Sequence, residues 1–158
     1  MRIGRARFTW YDLVLSGLAF LIMAGTTIWL IAHYGSLPDK VPTHFNIYGE
    51  IDGYSGKSTL WVLMGIGWVV WLLMALPDFF PKLWSTNITV KPQYEAKLRS
   101  WSKTFMHFTQ LFIAALFCFM TVWMPTGKAY PVWFMPVIIA VILLPAIALT
   151  VISIRWAR

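Results

Sequence analysis

Between Leu37 and Leu60 the sequence reads LPDKVPTHFNIYGEIDGYSGKSTL, crowding three acids, two lysines and a histidine into one short segment. Three kinds of chemistry suit these residues. His44, Glu50 and Asp52 offer an imidazole and two carboxylates to a divalent cation, with Asp39 as a fourth ligand or a supporting partner. Alternatively, His44, Asn46, Asp52 and Lys57 line a polar pocket that receives an extracellular ligand such as a peptide. The third reading is architectural: Asp39 caps a turn, His44 bonds a carboxylate, and Lys57 pairs with Asp52 or Glu50. Pro38 and Pro42 stiffen the chain, and Gly49, Gly53 and Gly56 supply positions where φ can be positive, so an ordered loop is expected.

Other candidate motifs are weaker. Gly56-Lys57-Ser58-Thr59 has the form of the end of a phosphate-binding loop, but Ile51 stands where the first glycine is required and no strand is expected before it. Asn87-Ile88-Thr89 has the form of a glycosylation acceptor, on a segment expected to be cytoplasmic. His107 and Gln110 lie one turn apart on one helix face, and with His33 they fall near span ends, where interhelical hydrogen bonding outweighs a proton relay. Asp12 and Asp78 are placed at the interface. No deep carboxylate, acid–base pair or Ser-His arrangement is legible, so neither an enzyme nor an ion-coupled pump is expected, and no cofactor. Cys118 reads as a small buried hydrophobe.

The elements that must position these groups follow from composition. Of 158 residues, 59% are hydrophobic and 12% charged, whereas a soluble domain carries about twice that charged fraction. The mean hydropathy is +0.67. These values exclude a soluble enzyme domain and a disordered chain. Four nearly uncharged stretches, about 13–32, 60–80, 105–124 and 132–154, are each long enough to cross a bilayer as a helix. The predicted fold is thus an all-α integral membrane protein, a single four-helix domain over residues 1–158. The basic start followed by the first stretch is read as a retained helix rather than a signal peptide.

Orientation follows from the basic residues. Ten of the thirteen Lys and Arg lie before the first stretch, between the second and third, or after the fourth; only Lys40, Lys57 and Lys128 lie on the other connections. Short basic connections stay in the cytoplasm, so both termini are expected there and the segment 33–59 outside. The basic charge is thereby assigned to membrane lipid rather than nucleic acid. In the connection 81–103, Tyr94, Leu98, Trp101 and Phe105 recur at helical spacing opposite Glu95, Lys97, Arg99 and Lys103. This predicts an amphipathic helix lying at the inner interface before it turns into the third span. Pro136 and Pro145 are expected to kink the fourth helix, and Gly65 and Gly67 to permit close packing of the second.

The outer segment also resembles a known family. Leu37, Pro38, Asp39, Pro42, His44, Phe45, Asn46, Gly49, Asp52 and Lys57 fit the pattern L-P-D-x-x-P-x-H-F-N-x-x-G-x-x-D-x-x-x-x-K. That pattern is similar to the bacterial membrane domain of unknown function at the N-terminal end of SdpI-type immunity proteins, which protect producers of a secreted killing peptide. NITVKPQYEAKLRSW is similar to the connection after the second helix in short members. The resemblance implies a non-enzymatic, multi-pass protein of the bacterial cytoplasmic membrane that binds or screens an extracellular peptide and signals inward. A structural or assembly subunit with a membrane-protein partner is the main alternative, and a small-molecule or metal transporter the third. Oligomeric state is not legible.

Overall fold

From Pro92 to Trp123 the sequence contains no glycine and no second proline, so nothing in it breaks a helix. The computed structural model, which describes residues 10–46, 50–80 and 91–157, accordingly has one uninterrupted helix there. Among the described residues the α-helices and strands are, in chain order, α1 (Trp10–His33), β1 (Lys40–Phe45), β2 (Ile51–Gly56), α2 (Thr59–Phe79), α3 (Pro92–Trp123) and α4 (Phe134–Ala157). All four helices are long and apolar enough to cross a membrane. The chain is a multi-pass, four-helix membrane protein by length and composition of its helices, with a small antiparallel hairpin between the first two.

Two expectations about the inner connection are corrected. The amphipathic segment is not a separate helix turning into the third span. It is the first three turns of α3, whose 32 residues at 1.5 Å each reach roughly 48 Å, well beyond a hydrocarbon core of about 30 Å. Lys103 is also not on a solvated face. It is buried in line with His107, Gln110, Ala114, Cys118 and Thr121, at the 4-3-4-4-3 spacing that keeps one helix stripe turned into a bundle. Leu98 is buried as expected, but Trp101 is half exposed. Tyr94 stacks on Trp156 at 5.3 Å, and the Lys97 ammonium lies 5.5 Å over the same indole. The start of α3 is thereby fastened to the end of α4.

α3 is the spine, packing along α1, α2 and α4. Ala19, Met23 and Leu30 of α1, Leu60 and Met64 of α2, and Ala114 and Cys118 of α3 form one core with Val41 of β1. Gly67, rather than Gly65, permits the close approach. A Cβ at Gly67 would stand 3.1 Å from Met23 Cε and from Phe117, while one at Gly65 would meet open space. The two mid-span tryptophans serve the α1–α2 seam: Trp68 Nε1 donates to Thr27 Oγ1 at 3.0 Å, and Phe20 packs on both Trp68 and Trp71. α4 stays helical through both prolines. Pro136 falls in its first turn, where an N–H has no helical partner to lose.

Candidate functional site

The segment expected as an ordered loop is a two-stranded hairpin. Lys40 pairs with Gly56, Val41 with Ser55 and Pro42 with Tyr54; the register then slips, so that His44 faces Gly53 and Phe45 faces Ile51. The irregularities fall at Thr43 and Asp52, as bulges that re-aim neighbouring side chains. Gly53 and Gly56 do not provide positive φ, which among the described residues occurs only at Gly127. Gly53 is needed for a different reason. A Cβ there would lie 2.8 Å from His44 Cβ, so only a bare Cα lets the strands approach. Gly49 lies outside the described residues, as does Asn87-Ile88-Thr89.

The predicted ligand-binding residues fall into three separate pairings along this hairpin. Near its tip, Asn46 and Glu50 are held by three hydrogen bonds: Asn46 N–H to Glu50 O (2.9 Å), Glu50 N–H to Asn46 Oδ1 (3.0 Å) and Asn46 Nδ2 to Glu50 Oε2 (2.8 Å). Midway, His44 Nδ1 donates to Asp52 Oδ1 at 2.5 Å, with the two side chains 73% and 42% exposed. At the base, Lys57 pairs with Asp39 (3.1 Å), donates to Leu37 O (3.3 Å) and sits over the Tyr34 ring. Lys57 thus joins neither Asp52 nor Glu50. Its main chain also bonds Asp39 O, so it works as a fastener where the hairpin meets the helices. A strand does precede Gly56-Lys57-Ser58-Thr59, contrary to expectation, but the lysine of that string is committed to these contacts. Among the described residues no three His, Cys, Asp or Glu side chains gather as a metal site would require.

The hairpin is seated on the bundle. Val41 and Pro42 are fully buried, and the Phe45 ring lies 4.5 Å from that of Tyr130, which in turn stacks on Phe134 at 4.2 Å. Thr43 and Ser55 link the strands by a 2.9 Å hydroxyl contact. The Tyr130 hydroxyl is buried with no hydrogen-bond partner, and burial pushes its pKa up to about 12. His44, Asp52 and Tyr54 remain on the exposed surface.

At the opposite end of the bundle lies a cluster not foreseen in the sequence. The side chains of Asp12 of α1, Asp78 of α2, and Lys103 and His107 of α3 are all buried, although Asp12 and Asp78 were expected at the interface and no paired acid and base was expected at all. Lys103 Nζ stands 3.9 Å from Asp12 Oδ2 and 3.7 Å from Asp78 Oδ1. Thr104 Oγ1 donates to Asp12 Oδ1 at 3.3 Å. Asp12 lies in the first turn of α1, where the helix dipole favours an anion. Asp78 lies in the last turn of α2, where the dipole opposes one, so it depends on cations from α3. The legible clue was the spacing of Lys103 with His107, Gln110 and Ala114; the partners, on other helices, were not deducible from one sequence.

A family model described as a domain of unknown function (DUF1648) matches residues 21–68. The matched stretch takes in the second half of α1, the whole hairpin and the first half of α2. No curated protein and no solved structure matches the chain.

Proposed function

We propose that the chain is a non-enzymatic protein of the bacterial cytoplasmic membrane whose hairpin faces outward and receives an extracellular peptide, in the manner of the immunity proteins that its outer segment resembles. One observation carries the reading: a hairpin anchored through Val41, Pro42 and Phe45 still presents both the His44–Asp52 pair and Tyr54 on its exposed surface. A platform already fixed in shape loses little freedom on binding. Imidazole, carboxylate and phenol together suit a peptide, which offers amide donors, carbonyl acceptors and charged side chains. Lys57 and Asn46 serve this site by holding the base and the tip.

The basic residues on the connections at the other end of the bundle support the outward orientation. Cysteines replacing Ser55 and Ser100 should be labelled by an impermeant reagent on intact cells at position 55 only. Function is tested by expressing the chain in a bacterium sensitive to a secreted, membrane-active peptide. Expression should raise the concentration needed to kill, and His44→Ala and Asp52→Asn should abolish that rise at unchanged protein yield. Equal killing with and without the chain, across several such peptides, would overturn the reading.

A further inference from the structure

Across the seam between α2 and α3, His107 Nε2 faces Asp78 Oδ2 at 3.4 Å, the side chains being 1% and 8% exposed. The orientation of Gln110 determines which imidazole nitrogen carries a hydrogen. Gln110 Nε2 donates to the main-chain oxygen of Trp71 at 3.0 Å, an atom that can only accept. The amide oxygen is therefore the atom left against His107 Nδ1, at 3.4 Å. Nδ1 must carry the hydrogen to meet it. In a neutral imidazole, Nε2 is then a bare lone pair aimed at a carboxylate oxygen, two acceptors in contact where water is excluded. Consistent with this, His107 Nε2 is a buried atom without a hydrogen-bond partner. A single proton resolves the conflict, whether it resides on Nε2 or on Oδ2.

We infer that Asp78 and His107 form a proton-binding site, and that the bound proton clasps α2 to α3 at this end of the bundle. Among the described residues the charged groups around it are Asp12 from α1 and Lys103 from α3, the latter against Asp78 Oδ1; Arg155 of α4 is exposed. Past Gln110 the buried stripe of α3 continues as Ala114 and Cys118 beside Met23 and Met64, an apolar stretch that separates the pair from the hairpin. A proton is therefore held and returned at one end rather than conducted across, and its presence sets how tightly that end closes.

The chain has three histidines, so imidazole 15N spectra of the full protein in nanodiscs can be assigned with single His33→Gln and His44→Gln variants. Across a pH titration, His107 Nδ1 should stay protonated while Nε2 changes state. Asp78→Asn should displace that transition. Spin labels at positions 79 and 100, exposed on α2 and α3, should report a separation that grows or broadens by about 1–2 Å, the scale of helix shifts, as pH rises. His107→Gln should make it pH-independent. A neutral tautomer with hydrogen on Nε2, or a separation that ignores pH in the unaltered protein, overturns the inference even if His107→Gln fails to fold. A separation that follows sodium concentration at fixed pH also overturns it, by making the pair a cation site.

Discussion

Each end of this bundle carries a histidine–aspartate contact and a lysine–aspartate contact, built from the same side chains in opposite surroundings. At the hairpin, His44–Asp52 and Lys57–Asp39 are short and at least one partner in each is well exposed. At the far end, His107–Asp78, Lys103–Asp78 and Lys103–Asp12 are looser, from 3.4 to 3.9 Å, and every partner is buried. Distance alone would rank the hairpin pairs as the stronger. Burial reverses the ranking of consequence: an exposed pair is replaced by water when broken, whereas removal of one buried partner strands a charge in a low-dielectric interior. The His44–Asp52 pair is therefore free to exchange partners with a ligand, Lys57 remains a fastener at the hairpin base, and the far cluster is committed to holding helices.

The comparison breaks most decisively at Lys103. Lys103→Met should destabilise the protein by about 3–5 kcal/mol, because Asp12 and Asp78 lose a buried cation. Lys57→Met, at the hairpin base, should cost about 1 kcal/mol or less from its ion pair. Reversible unfolding in a mixed detergent series gives both values. Equal losses would show that burial does not separate the two ends.

Gly53 sharpens the hairpin side of the contrast. Gly53→Val would drive a branched side chain into His44 Cβ, 2.8 Å from where its own Cβ must sit, at a cost of about 1–3 kcal/mol. Gly56→Ala meets its nearest atom at 3.6 Å and should be tolerated. Amide exchange should quicken over residues 40–56 in the first variant and stay unchanged in the second and across the helices.

These contrasts also explain what the sequence made legible. The four spans followed from runs of uncharged residues; α1, α2 and α4 differ from them by up to about three residues at either end, whereas α3 begins at Pro92, some three turns before its apolar run, because the amphipathic segment with Lys103 is continuous with it. The hairpin was read as an ordered loop because its prolines and glycines mask strand alternation, and because its register slips twice. His44 with a carboxylate was legible from their closeness in sequence. The far cluster was not: Lys103 was grouped with Lys97 and Arg99 by local charge, while its partners are 91 and 25 positions away. Interface placement of Asp12 and Asp78 was inferred from distance to span ends, which says nothing about the side they face.

Beneath the hairpin, Tyr130 gives a smaller test. Its hydroxyl is an acid whose pKa is raised by burial from 10.0 to about 12. The neutral form is the one the folded state favours, so its contribution to stability is whole below pH 10 and is lost as pH rises from there through about 12. Tyr130→Phe should remove that part of the alkaline loss. It also deletes a buried hydroxyl with no partner, so at neutral pH it should leave stability unchanged or raise it by about 1 kcal/mol. A loss of that size would mean that the hydroxyl is bonded after all.

The smallest effect on stability belongs to the residues given the largest role in function. His44 and Asp52 make one contact between exposed side chains, so His44→Ala and Asp52→Asn should each cost less than about 1 kcal/mol. The hairpin does not depend on that contact for its position. Val41, Pro42 and Phe45 seat it on the bundle, the Asn46–Glu50 bracket closes its tip, and Lys57 ties its base. A variant that keeps its melting temperature and its hairpin amide protection, yet no longer protects cells from the peptide, separates the surface from the scaffold. If His44→Ala instead unfolds the hairpin as Gly53→Val is expected to, the imidazole is a fastener like Lys57. The two ends would then differ only in degree, each a set of ion pairs holding its own part of the fold.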